Sequence, residues 1–283
     1  MEIKIFSKAL YSTWVIYKPE RILFDVGEGI STLLGNSVYG IKTIFLTHGH
    51  VDHLSGLWGF INTRNAAMGD REKPMNVYYP EKNKAIEKFK DFILDMNPRL
   101  RYQANFVSLC DSERIFLRSA GSFERSIVPF KTCHTANEKS FGYSIFEKRK
   151  KLKEEYSELE KSELIKIINE KGRDEITDVY EKKILTISGD SHVLPLDKIN
   201  NSETLIHECT FFKSADRKNN NHTTIDELID VIDKSVGVKR MILYHISGRY
   251  TNLVRKREAE FVEIFKSKGI ELYIAHPDRL FCL

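Results

Sequence analysis

The segment THGHVDH, residues 47–53, gathers three of the chain's nine histidines and an aspartate within six residues. Packing does not ask for such a cluster, because histidine is a weak core residue and a poor former of helix or strand. Neutral imidazole nitrogens and a carboxylate are, however, what a borderline-soft divalent cation such as zinc binds. The mostly apolar run Ile41–Leu46 just before it reads as a short buried strand entering a turn at Gly49. The fold must therefore present His48, His50, Asp52 and His53 from a rigid strand end, which a metal site requires.

One short loop cannot close two coordination spheres, so further ligands must come from elsewhere. His134 follows a strand-like run ending near Phe130. Asp190 follows Ile184–Ile187, with Gly189 easing a tight turn, and His245 follows Met241–Tyr244. All three stand at strand ends, and binding sites in layered α/β folds gather at one edge.

Along the chain, short strand-like runs come first: Ile3–Phe6, Thr13–Tyr17, Arg21–Phe24 and the strand ending at Leu46. Leu54–Asn65 and Lys82–Met96 read as helices, the second ended by Asn97-Pro98. Strands follow at Phe106-Val107, Ile115-Phe116, Ser126–Phe130 and Tyr143–Phe146. From Ile184 strands and helices alternate: strands at Ile184–Ile187, Thr204–His207, Met241–Tyr244 and Glu271–Ile274, helices at Ile225–Lys234 and Asn252–Lys266. This order predicts a layered α/β architecture with helices outside.

At 283 residues, 41% of them apolar, the chain can bury a substantial core. A net charge of +4 suits phosphate-bearing substrates without by itself indicating nucleic-acid binding. Cys110, Cys133, Cys209 and Cys282 form no C-x-x-C pair, which points to reduced thiols. The opening MEIKIFSKAL lacks the apolar core of a signal peptide, and no stretch approaches a membrane span. A soluble cytoplasmic protein is expected.

Residues 147–183 break the pattern, being mostly charged and nearly balanced in sign. Leu152, Tyr156 and Leu159 recur at helical spacing, and Ser162 is placed to cap a second short helix, Glu163–Glu170, ended by Gly172. The expectation is a charged helical insertion, either a solvated helical pair or a substrate-gripping arm.

Several segments together resemble one family. LTHGHVDHLSGLWGFINTR (46–64) carries the H-x-H-x-D-H motif of the metallo-β-lactamase superfamily. ILFDVGEGI, HTANEKSFGYSI, ISGDS, LIHECTF, NHTTIDELI and YHISGRY follow the order of its ribonuclease Z branch. The resemblance covers nearly the whole chain outside 147–183 and implies a four-layer αββα sandwich. It implies a first metal held by His48, His50 and His134, a second by Asp52, His53 and His245, and Asp190 bridging both. It makes His222 the catalytic histidine, with Glu208 as the partner that orients it, and sets Ser247 and Arg249 near the phosphate. His192, His207 and His276 receive no role. Two Zn2+ per chain are expected, the ligand types also admitting Mn2+ or Fe2+, and the family implies a homodimer.

Two adjacent cations can activate water and clamp both oxygens of an in-line displacement. Asp52 can take the proton of the nucleophile, His222 can protonate the leaving oxygen, and Arg249 can pair with a phosphate oxygen. A phosphodiester is the substrate this chemistry suits. The family resemblance implies endonucleolytic cleavage at the 3′ side of precursor tRNA. Two features depart from the ribonuclease Z pattern: a short N-terminal segment without glycine, and an insertion with a single glycine and no proline where that branch carries a glycine- and proline-rich arm. The alternative is a phosphodiesterase for small or cyclic nucleotide phosphodiesters, and a non-catalytic binding protein is the third reading.

Overall fold

The computed structural model describes residues 2–67, 71–117 and 123–283. Its first half is laid down by β1 (Ile3–Lys8), β2 (Ser12–Tyr17), β3 (Ile22–Phe24), α1 (Ile30–Leu34), β4 (Thr43–Phe45), α2 (Val51–Leu54), α3 (Gly56–Ala67), β5 (Met75–Pro80), α4 (Lys84–Met96) and β6 (Ala104–Leu109). The second half contains β7 (Ile115–Leu117), β8 (Arg125–Thr132), β9 (Ser140–Leu152), α5 (Lys161–Lys171), β10 (Thr177–Ile187), α6 (Leu196–Ile199), β11 (Thr204–Glu208), α7 (Ile225–Ile232), β12 (Arg240–Tyr244), α8 (Thr251–Ser267), β13 (Glu271–Ile274) and β14 (Phe281–Cys282).

These strands pair into two seven-stranded sheets, ordered β14-β1-β2-β3-β4-β5-β6 and β13-β12-β11-β10-β9-β8-β7. In each sheet one side is antiparallel and the other parallel: β3, β4, β5 and β6 run parallel in the first, and β10, β11, β12 and β13 in the second. Strands covered on both faces read as continuous apolar runs, and alternate residues supply the two faces. In β2, Val15 and Tyr17 point between the sheets while Trp14 and Ile16 pack under the helices. In β12, Ile242 and Tyr244 face the other sheet, and Met241 and Leu243 face outward to the α7 and α8 layer. The result is the four-layer αββα sandwich that the family resemblance implies.

The first helical layer packs Leu57, Phe60 and Ile61 of α3 and Ile86 and Ile93 of α4 on the first sheet. Asn83 starts α4 by accepting the amide of Ile86 at 3.1 Å, so the helix begins just past the expected Lys82. The expected helix from Leu54 starts earlier than foreseen, because α2 already includes Val51, Asp52 and His53. Strand β5 and helix α1 are additions to the sequence reading.

The segment 147–183 differs most from expectation. Residues 147–152 are not helical; they extend β9, and 177–183 extend β10, in register from Glu147–Lys182 to Leu152–Thr177. Leu152 closes a strand, and Tyr156 sits in a single 3-10 turn. One helix, α5, caps this two-stranded ribbon. It is capped by Glu160, not Ser162, through a reciprocal pair with Glu163, and Gly172 ends it at φ 88°.

Candidate metal centre

Parallel strands of both sheets end at one edge, and the loops after them supply the site. β3 leads into Asp25, β4 into Thr47 and His48, β10 into Ser188 and Asp190, β11 ends in Glu208, and β12 leads into His245. His134 comes from the loop after β8 and His222 from the loop before α7. Asp25 and His245 hold left-handed backbone at φ 57° and 58° without being glycine. The backbone of His245 is pinned by its amide, which donates to Ser7 Oγ at 2.9 Å.

The turn that carries Asp52 and His53 rests on a close backbone approach. A Cβ on Gly56 would lie 2.1 Å from the carbonyl oxygen of Gly27, and Gly56 N–H donates to Val26 O at 2.8 Å. Only glycine lets α3 start this close to the loop after β3. Gly49, at the centre of the motif, donates its amide to Glu138 Oε1 at 2.7 Å.

The structure brings the seven predicted ligands together in two groups. His48, His50, His134 and Asp190 form one, and Asp52, His53 and His245 the other, with ligand atoms in each group within 4.8 Å of one another. Asp190 faces both: its Oδ2 lies 3.8 Å from His48 Nε2 and 3.3 Å from His245 Nε2, and its Oδ1 lies 3.3 Å from His53 Nε2. Asp52 Oδ2 lies 3.3 Å from His245 Nε2 and accepts the amide of Leu10 at 2.8 Å. A third grouping sets His222 beside Asp190 and His245.

Hydrogen bonding tests whether these residues suit a cation. His53 Nδ1 lies 2.8 Å from Asp25 Oδ2, and His134 Nδ1 lies 2.9 Å from the carbonyl oxygen of Asn221. Both acceptors take the hydrogen on Nδ1, which leaves each Nε2 facing the site. His134 offers it as a lone pair, its proton disfavoured by burial. His53, whose titration burial lowers but the charges of Asp190 and Asp25 raise well above the ordinary range, offers it once a cation takes the place of its second proton. His134 Nε2 then faces His50 Nδ1 at 3.1 Å. Among the described residues the buried atoms His48 Nε2 and Asp190 Oδ1 have no hydrogen-bond partner. Lone pairs and carboxylate oxygens converging in this way match the donor set of two divalent ions sharing Asp190. The His and Asp groups thus suit a dinuclear metal site.

Electrostatics follow from burial and from crowding of these groups. Burial, with the charge of His53, holds the His48 imidazole well below the ordinary range. Burial opposes ionisation of Asp190, but the charges of His245 and His53 outweigh it and hold the carboxyl well below the usual range. Burial likewise acts against Asp52, yet the hydrogen bond and charge of His245 with the charge of His53 bring it down to about 2. For His222, burial pushes downward and is outweighed by the charge and hydrogen bond of Glu208 and the charge of Asp190, which raise it to about 9.

His222 Nδ1 lies 3.0 Å from Glu208 Oε1. Glu208 is fully buried and also accepts the amides of Ser191 at 3.2 Å, Thr223 at 3.1 Å and Thr210 at 2.9 Å. The loop bearing His222 is held by Arg217, which donates to His222 O at 2.8 Å and forks onto Glu227. Ser247 lies just past His245 and donates its amide to Thr210 O at 3.2 Å. Arg249 is exposed at the rim, its guanidinium 5.9 Å from the centre of the Phe211 ring, which in turn lies 6.2 Å from the His222 ring. His207 and His276 are buried and bonded to backbone, and His192 pairs with Glu227 at 3.3 Å.

Asp25, Thr47, Thr210 and Glu138 lie within the motif segments, yet the sequence assigns them no role. Their importance lies in which rings and amides they touch, and single polar residues in loops do not announce that. The acid in ILFDVGEGI beside a left-handed turn was the one local signal.

Comparison with known proteins agrees with this geometry. The family described as Anti-Pycsar protein Apyc1 matches residues 5–268. The chain is 31% identical over 274 residues to the Ribonuclease Z of Ligilactobacillus salivarius (strain UCC118), covering 88% of this chain and 83% of that protein. It is 28% identical over 281 residues to the Ribonuclease Z of Sulfolobus acidocaldarius, covering 91% and 90%. Its fold resembles that of human tRNase Z, short form, with a TM-score of 0.63 and 19% identity over 99% of this chain and 98% of that one.

Proposed function

As the chain belongs to the family of the Anti-Pycsar protein Apyc1 and, with the Ribonuclease Z proteins, to the metallo-β-lactamase superfamily, we propose that it is a dinuclear-metal phosphodiesterase that cleaves precursor tRNA at its 3′ side. The observation that carries the proposal is the pairing of the seven-residue His and Asp centre with a buried Glu208–His222 pair at its edge. Zinc is the metal that a histidine-rich set favours, with Mn2+ or Fe2+ as the other candidates. His48, His50 and His134 would hold one ion, Asp52, His53 and His245 the other, and Asp190 both. When bound, such a pair supplies Lewis-acid charge that activates water and stabilises phosphoryl oxygens.

The chain's own residues account for the rest. Asp52, ionised well below neutral pH, is placed to accept the proton of the attacking water. His222, whose burial is outweighed by the charge and hydrogen bond of Glu208 and the charge of Asp190, stays protonated at neutral pH in the metal-free chain. It would donate a proton to the departing oxygen, with Glu208 holding its ring through Nδ1. Arg249, exposed at the rim beside Ser247, steers the phosphate of an incoming chain. We take residues 1–283 as one domain with 147–183 as its arm, and a cytoplasmic homodimer as the working form. Among the described residues no helix is long and apolar enough to cross a membrane.

A second reading, hydrolysis of small or cyclic nucleotide phosphodiesters, is favoured by the arm. Three of the five cations at its basic start are engaged by carboxylates: Lys148 by Glu124 at 3.1 Å, Arg149 by Glu147 at 2.6 Å and Lys150 by Asp174. Neutralised cations contribute little of the field that holds RNA. Incubation of the protein with precursor tRNA, cyclic nucleotides and bis(p-nitrophenyl) phosphate, each beside Asp190→Ala, separates the readings. Cleavage of precursor tRNA that Asp190→Ala loses supports the first. Turnover confined to the small substrates selects the second, and no turnover of any of the three overturns both.

A further inference from the structure

Two buried carboxylates flank the centre, and each is connected to two histidines in the same way. Asp25 Oδ2 meets His53 Nδ1 directly at 2.8 Å, and it also accepts the hydroxyl of Thr47 at 2.8 Å. The same Thr47 Oγ1 lies 2.9 Å from His48 Nδ1. On the opposite sheet, Glu208 Oε1 meets His222 Nδ1 at 3.0 Å, and Glu208 Oε2 accepts the hydroxyl of Thr210 at 2.8 Å. Thr210 Oγ1 in turn lies 3.0 Å from His245 Nδ1. Each carboxylate therefore reaches one ring by contact and a second ring through a threonine.

A threonine hydroxyl has a single hydrogen. Once that hydrogen is given to a carboxylate, Oγ1 can only accept from the imidazole beside it. His48 and His245 must then carry hydrogen on Nδ1 and present Nε2 as a lone pair. Thr47, His48, Asp25, Thr210, His245 and Glu208 are all buried. Although the Thr210 hydroxyl also has the His245 carbonyl oxygen within reach at 3.1 Å, giving its hydrogen to either oxygen leaves Oγ1 an acceptor for His245 Nδ1. Backbone bonds fix both threonines: Thr47 N–H donates to Asp25 Oδ1 at 2.7 Å and Thr210 N–H to Glu208 Oε2 at 2.9 Å.

We propose that Thr47 and Thr210 are positioning residues that pass the orienting effect of Asp25 and Glu208 to His48 and His245, fixing the tautomer in which these rings can bind metal. The proposal rests on the reading of His48 and His245 as ligands. Through Thr210, one carboxylate sets both a metal ligand and the proton donor His222, so ligation on this side and proton transfer share a single anchor. Groups that orient a ligating histidine commonly contribute about 10–100-fold to metal affinity.

The test compares Thr47→Val and Thr210→Val with Thr47→Ser and Thr210→Ser. Zinc is titrated into each metal-free protein against a chromophoric chelator. Long-range 1H–15N spectra of the same metal-free samples report which imidazole nitrogen of His48 and His245 carries hydrogen. Valine at either position is expected to weaken one of the two zinc equivalents by about 10–100-fold and to mix the tautomers of the one histidine concerned. Serine keeps the hydroxyl and is expected to retain wild-type tautomers and affinity within a few-fold. Valine variants that bind both equivalents as wild type does, or serine variants that lose as much as valine, overturn the proposal. A variant too unstable to titrate is replaced in the comparison by its serine counterpart, whose tautomer alone then decides: wild-type Nδ1–H supports the role and a mixture refutes it. Wild-type protein that takes up no zinc overturns the metal reading itself, a result distinct from either threonine outcome.

Discussion

His53 Nε2 and His245 Nε2 face each other at 3.2 Å across a sequence separation of 192 residues, each ring having its Nδ1 turned to an oxygen. Two ring nitrogens this close need a positive charge between them, a proton in the metal-free chain or a metal ion in the loaded one. The purified protein should therefore carry two divalent ions per chain, measured by elemental analysis. Metal bound well above its dissociation constant stabilises a fold by about 3–4 kcal/mol. For a chain of this size that is a fall in melting temperature of roughly 6–16 °C on chelation. A melt unchanged by chelator, or a fully active protein with one ion, would contradict the assignment.

Asp52→Ala and His222→Ala should separate ligation from proton transfer. Asp52 sits within the second ligand group, so its loss should lower both metal content and rate. His222 is directed to Glu208, so its loss should leave both ions in place while turnover falls about 10²–10⁴-fold, the usual contribution of a positioned acid. Metal loss from His222→Ala would mean that His222 belongs to the ligand set.

The raised titration of His222 makes stability depend on pH in a defined direction. Its proton is bound more tightly in the folded, metal-free chain than in the unfolded one, where histidine titrates near 6.5. The stabilisation is thus fully present below about pH 6.5 and is lost as pH rises through about 9. NMR titration of metal-free protein should find His222 near that upper value, and Glu208→Gln should bring it down and flatten the pH dependence of stability between those limits. An unchanged titration in Glu208→Gln would remove Glu208 as the cause.

The close approach of Gly56 to Gly27 predicts a structural defect with a functional consequence. In Gly56→Ala the new methyl would lie far inside contact distance of Gly27 O, so α3 must shift. Overpacking of this kind costs typically about 1–3 kcal/mol. Since Asp52 and His53 lie within four residues of Gly56, the affinity for one metal should fall as well, as metal titration and a denaturant melt would show. Wild-type stability in this variant would show that the backbones can part without cost.

Deleting Lys153–Ile176 and joining Leu152 to Thr177 by Asn-Gly should test the arm without breaking the ribbon. Leu152 and Thr177 are paired residues of an antiparallel ladder, and Asn-Gly forms the two-residue turn such ends require. If the arm grips RNA, KM for precursor tRNA should rise about tenfold or more while turnover of bis(p-nitrophenyl) phosphate stays put, the pattern of binding contacts remote from the reacting bond. Equal losses for both substrates would make the arm a support of the core, and no change for either would remove it from substrate binding.

Why the arm misled a reading from sequence is itself physical. Leu152, Tyr156 and Leu159 have helical spacing amid Glu and Lys, which favour helix, whereas the ladder between β9 and β10 continues outward past the core. Out there hydrogen bonds between strands hold the chain, and apolar alternation, the signal that marks a buried strand, is absent. Strand β5 escaped for a related reason, as Asn76, the paired tyrosines and Pro80 blur its pattern although Met75 and Val77 are fully buried.

By itself the sequence determined that His48, His50, Asp52 and His53 would crowd one turn, because they are neighbours in the chain and their chemistry is that of metal ligands. It also determined the buried strands, since Ile22–Phe24 and Met241–Tyr244 are apolar on both faces and must be covered on both. Tertiary structure alone decided which buried carboxylate holds which ring: Asp25 reaches His53 and Thr47, and Glu208 reaches His222 and Thr210. Periodicity and residue type are local properties of a chain, whereas a hydrogen-bond partner is chosen by which strand ends the sheets bring to the same edge.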